Sequence, residues 1–407
     1  MQRLGAMGTP ASSGHGHGHF RVAAQREWQL LKKRPWDLAM ISWVPALAVA
    51  LIWWIFSAGI PNQLPIAVLD LDHSSLSRQL VRFLQAAPGL KVLESVVDPA
   101  QAAHALRRGD VYAVLEIPRD FAQTVLRGQA AQVTLSHNAQ FGTHSGLIQR
   151  DVRSAVATLS AGIEMSARNK RGESASAARL SQEPLRTSTI TLFNTALNYE
   201  QFLAAALIPA VLHILAMTAG AWAVGRELRD RTVNQWIAPE ATVAQALGAL
   251  IGKLLLPVLS LSLTGALALA WVAGGQGWQA AGSLAWVVLA LGVFMALSAA
   301  LGAWAAALSR SLRTALSVTG FITAPAFAFS GVGFPLLAMP VLARCWAHAM
   351  PYTHYIGVQI EQLQMGAPLR YSLATVLGLS VALAGVALAC TLSLQRASRD
   401  PASWGKR

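Results

Sequence analysis

The chain has 407 residues, 54% of them hydrophobic and only 13% charged, against about 25% charged in an ordinary soluble domain. Its formal net charge is +13. In so apolar a chain that excess reads as basic loops beside a membrane rather than as a nucleic-acid surface, so no nucleic-acid partner is expected. Cys345 and Cys390 are the only cysteines and Cys390 falls in an apolar run, which excludes a disulfide framework.

Residues 1–19 read as a disordered tail. Its HGHGH tract (His15, His17, His19) is taken as a Gly/His tail in preference to a metal site. Residues 20–35 form the next element. Phe20, Ala24, Trp28 and Leu31 recur at helical spacing, and Arg21, Gln25, Arg26, Gln29 and Lys32 take the other face. The pattern predicts a basic amphipathic helix lying on the membrane surface, with Arg26, Glu27 and Trp28 as its candidate functional residues. The first charge-free run, 38–60, has no convincing cleavage site and is read as a retained first span over 36–60.

Residues 61–198 change from uniformly apolar to alternating. Strands are expected over 65–72, 90–96, 111–118 and 131–138, with helices between them. Ser74 and Asp98 sit at helix N-caps, and Pro99 occupies a first turn. Strands alternating with helices predict an α/β domain, and 144–190 a helical stalk returning to the membrane. Asp70, Asp72 and His73 cluster at the end of the first strand. They are read as a solvated β–α turn rather than a metal site.

Five further apolar runs follow, at 201–224, after Lys253, at 278–309, at 314–343 and at 371–394. Each is long enough to cross a bilayer as a helix, for which about 20 residues suffice. Pro325 and Pro335 interrupt the run at 314–343, so it is expected to span to about 333 and then break. The expected fold is a polytopic α-helical membrane protein with six transmembrane helices and an α/β extracytoplasmic domain inserted after the first. Basic residues gather before the first run, at Arg226, Arg229 and Arg231, at Arg310 and Arg313, and in the tail 396–407. Six spans place all of these on one side, making both termini cytoplasmic. The stretch GRELRDRTVNQWIAPE (225–240) then falls in the first cytoplasmic loop.

Little in the chain points to chemistry of its own. GALIGKL (248–254) has three residues between its glycines where a phosphate loop has four, and Leu254 stands where Ser or Thr must hold magnesium. VAGGQ (272–276) lacks the serine of an ABC-ATPase signature. Within the spans only His213 and Lys253 are ionisable. Lys253 is expected to snorkel to the interface, and His213 to bond a neighbouring helix. With no membrane carboxylate relay, proton-coupled transport is disfavoured, and six spans without an output domain argue against a receptor. An envelope scaffold remains the third rival class.

The layout of six spans, a surface helix and a large insert resembles the permease subunits of type-2 ABC exporters with an extracytoplasmic domain. The resemblance runs from about 24 to 395. It is carried by PWDLAM, by LPIAVLDLDHSSLSRQL, by RGDVYAVLEIPRDFAQTVLRGQ, by FNTALNYEQFLAAALIPAVLH and above all by SGVGFPLLAMPVLARCWAHAMPYTHYIGVQIEQLQMGAP (330–368). In that family the first cytoplasmic loop reads R-E-x-E-x-G-T-x-E, then proline, then G-K. Arg226, Glu227, Thr232, Pro239, Gly252 and Lys253 fit this pattern, while Arg231 replaces the glycine and Asn234 the last glutamate.

The resemblance implies a non-catalytic subunit of an ATP-driven exporter in a bacterial inner membrane, multi-pass, with spans two to six over 199–395 and an outer re-entrant segment at 334–368. It has no cofactor in this chain, since ATP and magnesium sit on separate ABC ATPase subunits. A second permease copy or homologue and a periplasmic adaptor protein complete the assembly that the resemblance implies, and the cargo is drug-like or lipid-like. Its coupling loop, 225–245, would dock the ATPase through Arg226, Glu227, Arg229, Asp230, Thr232, Gln235 and Trp236, with Trp236 and Ile237 as an apolar anchor. His213, Met217, Phe321, Phe334, Pro335, Pro351 and His354 are the candidate path and re-entrant residues.

Overall fold

The computed structural model describes residues 17–96, 98–138, 142–170, 194, 198–274 and 279–404. His15 and the far end of the expected stalk, 171–190, lie outside them. The chain divides into two compact units, Ile60–Ile190 and the remainder (Met1–Gly59 with Thr191–Arg407).

The Ile60–Ile190 unit is built on a four-stranded sheet of β1 (Leu64–Asp70), β2 (Leu90–Ser95), β3 (Ala113–Ile117) and β4 (Thr134–His137), in the order β2-β1-β3-β4. β1 pairs in parallel with β2 and β3, and β4 runs antiparallel to β3. Parallel neighbours need crossover helices. Here these are α4 (Ser75–Ala86) and α5 (Pro99–Arg108), followed by α6 (Phe121–Leu126) and the long α7 (Gly142–Lys170). The caps form as their residue types dictate: Ser74 Oγ accepts from Ser77 N at 3.0 Å and Asp98 Oδ1 from Gln101 N at 2.8 Å. Asp70 accepts the backbone N–H groups of Asp72 and His73 and the Ser77 hydroxyl. Asp72 accepts from Ala122 N. Both carboxylates therefore hold turns in place.

In the other unit, α1 (His17–Lys33) precedes a broken pair, α2 (Pro35–Ile41) and α3 (Trp43–Phe56), bent by 40°. Pro45 accounts for the bend, because it cannot donate to the Ile41 carbonyl one turn back. Ser260 Oγ donates to that carbonyl instead. Three long apolar helices follow: α8 (Ala205–Arg229, preceded by a π-helical turn, Glu200–Ala204), α9 (Val243–Gly274) and α10 (Leu284–Ser309). After α11 (Leu312–Thr323), α12 (Val341–Ala349) and α13 (Pro351–Leu363), α14 (Leu369–Ser398) closes the bundle.

Among the described residues four helices are long and apolar enough to cross a membrane, or up to five with the bent pair as one span. The protein is thus a polytopic helical membrane protein, but the helix expected to run from 314 to about 333 is shorter than that. α11 stops at Thr323, ten residues earlier than the break anticipated near 333, and turns occupy 324–333. Pro325 is the interrupting residue: it disfavours helix at Ala324 and offers no N–H to the preceding turn.

A second proline is repaired from outside its helix. Pro209 leaves the Ala205 carbonyl of α8 without its helical donor. Gln359 Nε2 of α13 donates to Ala205 O, and the Tyr352 hydroxyl to Ala206 O, each at 2.7 Å. In an apolar bundle such freed carbonyls need a protein partner. α8 and α10 meet at two glycines. A Cβ on Gly302 would lie 1.8 Å from the Met217 carbonyl oxygen, and one on Gly220 1.9 Å from that of Ala299. Only the missing side chains permit this backbone approach.

Candidate functional site

The charged stretch at the end of α8 folds into the protein. The expected arrangement was a surface of basic and acidic side chains. Instead Arg226 and Glu227 are each 1% exposed, Lys253 is fully buried, and Glu27 of α1 is 1% exposed. Lys253 therefore does not snorkel, because its partners are inside. Its Nζ lies 2.5 Å from Glu227 Oε1 and 2.9 Å from Glu27 Oε2. Arg226 pairs with Glu27 and, at 2.7 Å, with Asp37 Oδ2 of α2. Arg26 reaches Glu227 with Nε at 3.1 Å and Nη2 at 3.0 Å. The Thr232 hydroxyl donates to the same carboxylate.

Three cations (Arg26, Arg226, Lys253) thus meet three anions (Glu27, Asp37, Glu227), and the cluster has no net charge. Neutrality is what makes it tolerable, since an uncompensated charge buried here would cost several kcal/mol. Each helix contributes for a local reason. A Cβ on Gly252 would sit 2.4 Å from the Phe20 carbonyl oxygen. This glycine therefore lets the backbone of α1 lie against α9, which delivers Glu27 to Lys253.

The inward face of α1 is one step away from the expected one. Ala23, Glu27 and Leu31 are buried, whereas Trp28 is 44% exposed with the Lys32 ammonium 4.7 Å from its ring centre. The spacing argument assigned faces by hydropathy, and hydropathy places a glutamate outside.

The loop after α8 is equally internal. Trp236 (3% exposed) and Ile237 (0%) pack with Ala23 of α1, Leu250 of α9, Ala303 of α10 and Leu394 of α14. The Lys253 ammonium stands 5.1 Å from the Trp236 ring centre. As anchors for a soluble partner these two residues are spent on the protein's own core. Arg229, Asp230, Arg231, Asn234 and Gln235 remain exposed. Asp230 is held below the usual carboxylate range, first by the hydrogen bond from Arg229 and then by that from Arg34.

The turn itself closes the end of α8. Thr232 N donates to Glu227 O at 2.8 Å and Arg231 N to Leu228 O at 3.4 Å, with Arg231 at φ 58. This is the Schellman arrangement, whose left-handed position is normally glycine. It gives a physical reason for the glycine of the resembled pattern. From the far end of the chain, Gln395 Nε2 donates to Ala241 O at 2.7 Å and Arg399 Nε to Pro239 O at 3.2 Å. Trp404, 5% exposed, joins the same core. These C-terminal clasps carried no recognisable signal in the sequence.

The remaining candidates are dispersed. His213 is buried against Phe294, with ring centres 5.1 Å apart, and its Nδ1 lies 2.8 Å from Ser298 Oγ. Ser298 spends its own proton on Phe294 O, so His213 donates and carries its proton on Nδ1. Met217 is 1% exposed. Phe321 is 71% exposed, edge-on to Trp346, and Phe334 is 51% exposed. Pro335 precedes a short 3-10 turn, Pro351 opens α13, and His354 Nε2 lies 2.8 Å from His348 O.

No curated protein and no solved structure matches the chain. The family model described as ABC-2 family transporter protein matches residues 35–393, from the first residue of α2 into the last turns of α14. The match spans Asp37, Arg226, Glu227 and Lys253, so four of the six residues of the ionic cluster fall within the matched range. This membership implies an ABC ATPase partner. The chain belongs to the ABC-2 family of transporter proteins, and is a membrane permease subunit of an ABC transporter.

Proposed function

We propose that this permease works in an ATP-driven exporter of the bacterial inner membrane, moving a hydrophobic or amphipathic cargo outward. The observation that carries the reading is the neutral ionic cluster. It ties α1, α2, α8 and α9 into one body at the end of the bundle that bears the exposed residues Arg229, Asp230, Arg231, Asn234 and Gln235. A partner pressing on those residues moves the helices together instead of deforming a loop. The ATPase is proposed to dock there, on the cytoplasmic side, and to hold ATP and magnesium itself. A second permease copy or homologue encloses the path, and the Ile60–Ile190 unit lies outside the cell membrane, where an adaptor can reach it.

Six crossings are part of this proposal. Ala23 of α1 and Trp404 near the chain's end share one core, which also holds Ala306 at the end of α10. The first turn of α14 lies at the opposite end, where Ser372 bonds Trp286 near the start of α10. These contacts support a return across the bundle between 310 and 369, in broken elements, and with it an even number of crossings.

Affinity-tagged full-length chain isolated from its native membrane should bring down an ABC ATPase. Inverted vesicles holding both should take up a lipophilic fluorescent dye with ATP, and charge reversal at Arg229 and Asp230 together should abolish uptake without lowering the melting temperature. Uptake driven by a pH gradient without ATP would overturn the reading. With the native cysteines replaced, single cysteines at Ala281 and Arg310 should label from opposite sides; labelling from one side would remove the six-crossing arrangement.

A further inference from the structure

A second buried acid sits far from the ionic cluster and has a different environment. Glu200 opens the π-helical turn ahead of α8 and is 2% exposed. Among the described residues its carboxylate has one side-chain partner, the Trp53 indole N–H, at 2.9 Å, and no cation. The contrast with Glu27 and Glu227, each satisfied by two basic residues, is direct. A carboxylate removed from water without a counter-charge is costly unless something else supplies one. Single π-turns within helices also occur often at functional sites.

Trp53, which Glu200 holds, is also a wall of a cavity of about 360 Å³ between α3, α8 and α9, lined besides by Val49, Ile208, Thr264, Leu267 and Trp271, with Glu200 standing behind the Trp53 ring and not in the lining. The cavity's volume falls in the range of small-molecule sites, roughly 300–1,000 Å³. Trp53 and Trp271 meet edge to face, with ring centres 5.7 Å apart. Leu267 and Trp271 are 63% and 59% exposed on the apolar flank of α9, so the cavity opens sideways, toward lipid. Thr264 spends its hydroxyl on the Ser260 carbonyl, so the walls offer a ligand aromatic faces and aliphatic groups. Indole faces attract cations. The hydrogen bond from Trp53 to a carboxylate shifts electron density into that ring and strengthens the attraction.

We propose that this cavity binds a hydrophobic organic cation entering from the bilayer, with Trp53 and Trp271 against its body and Glu200, one hydrogen bond behind the Trp53 ring, supplying the negative charge that compensates it. A neutral lipid tail would fill the same walls but would leave Glu200 uncompensated. An anion would be repelled by it. Binding requires no ATPase. Only the identification of the bound cation as cargo rests on the exporter reading.

The test uses the full-length chain, purified in a non-ionic detergent, with radiolabelled tetraphenylphosphonium as the probe. Saturable binding is expected. Glu200→Gln should weaken it about 10-fold or more, the scale of a desolvated charge contact. Trp271→Leu, at a position 59% exposed, should weaken it several-fold. Tetraphenylborate, with the same apolar body and the opposite charge, should not compete. Unchanged affinity in a folded Glu200→Gln protein overturns the proposal, as does equal competition by tetraphenylborate. If Glu200→Gln fails to fold, unchanged affinity in Trp271→Leu overturns it. Displacement by monomeric dodecylphosphocholine would mark a lipid-headgroup site and overturn the assignment to a free cation. Tetraphenylphosphonium binding without ATP-driven uptake would refute the exporter reading alone, and ATP-driven dye uptake without tetraphenylphosphonium binding would refute this site alone.

Discussion

Arg26 holds Glu227 by two hydrogen bonds, 3.1 and 3.0 Å, between helices 201 positions apart in the chain. Such a bidentate grip is among the stronger polar contacts. Its place at the rim of the cluster still limits its weight, for the Arg26 side chain is 22% exposed where Lys253 is 0%. Arg26→Ala should therefore cost less than Lys253→Met. Stripping Lys253 from two buried carboxylates should cost about 3–5 kcal/mol. Unfolding of the purified chain measures both. Lys253→Met should also open α1 to trypsin, and equal losses from the two variants would contradict the ranking.

Trp236 and Gln235 are adjacent and should behave oppositely. Trp236→Ala empties a buried site and should lower stability by about 3–5 kcal/mol. Gln235→Ala, on an exposed position, should leave stability within roughly 0.5 kcal/mol. ATP-driven transport by a Trp236 variant must accordingly be normalised to folded protein. A loss of transport in Gln235→Ala at unchanged stability would report on docking.

Arg231→Gly should stabilise the protein. An L-residue in the left-handed region costs about 1–2 kcal/mol, and glycine returns roughly 0.4–1 kcal/mol of that through the freer unfolded chain. A net gain on the order of 1 kcal/mol in the unfolding transition is expected, and a loss would mean that the exposed arginine side chain carries a contact of its own.

Two glycines of α10 provide an internal control. Gly302→Ala forces a Cβ to 1.8 Å from the Met217 carbonyl oxygen and must push α8 and α10 apart, whereas a Cβ on Gly292 meets nothing within 4 Å. Gly302→Ala should destabilise by about 3 kcal/mol or more. Gly292→Ala should be neutral or stabilising by up to about 1 kcal/mol. Thermal unfolding of the two side by side distinguishes crowding from helix propensity.

What was legible in the sequence follows from the kind of signal each element emits. The strands and helices between 64 and 126 alternate in hydropathy and carry Ser74, Asp98 and Gly109 at their ends, so local chemistry defines them. The Gly252–Lys253 pair was legible as a pattern but not as a contact, because its partner Glu27 lies on a helix whose hydropathy points the other way. The ionic cluster as a whole was hidden for the same reason: periodicity treats every charge as solvent-facing, and only the long-range pairing of three cations with three anions makes burial affordable. The end of α11 was misplaced because two prolines compete in one apolar run, and composition does not say which one the surrounding helices allow to break it. Glu200 raised no signal, being a single acid at the edge of a long apolar stretch.

The repair of Pro209 by Gln359 and Tyr352 has a consequence for motion. α8 is 25 residues long, roughly 37 Å at 1.5 Å per residue. Its last turn is bolted to α1 and α9 by salt bridges, and its first turns are latched to α13 by Gln359, which supplies the hydrogen bond Pro209 cannot, and by Tyr352 on the neighbouring carbonyl. Tilting α8 away from α13 would expose two carbonyl oxygens to an apolar medium, so the latch travels with the rod. If α8 tilts as a rigid rod, Tyr352 and Gln359 are the contacts at its far end that would have to move with it or break.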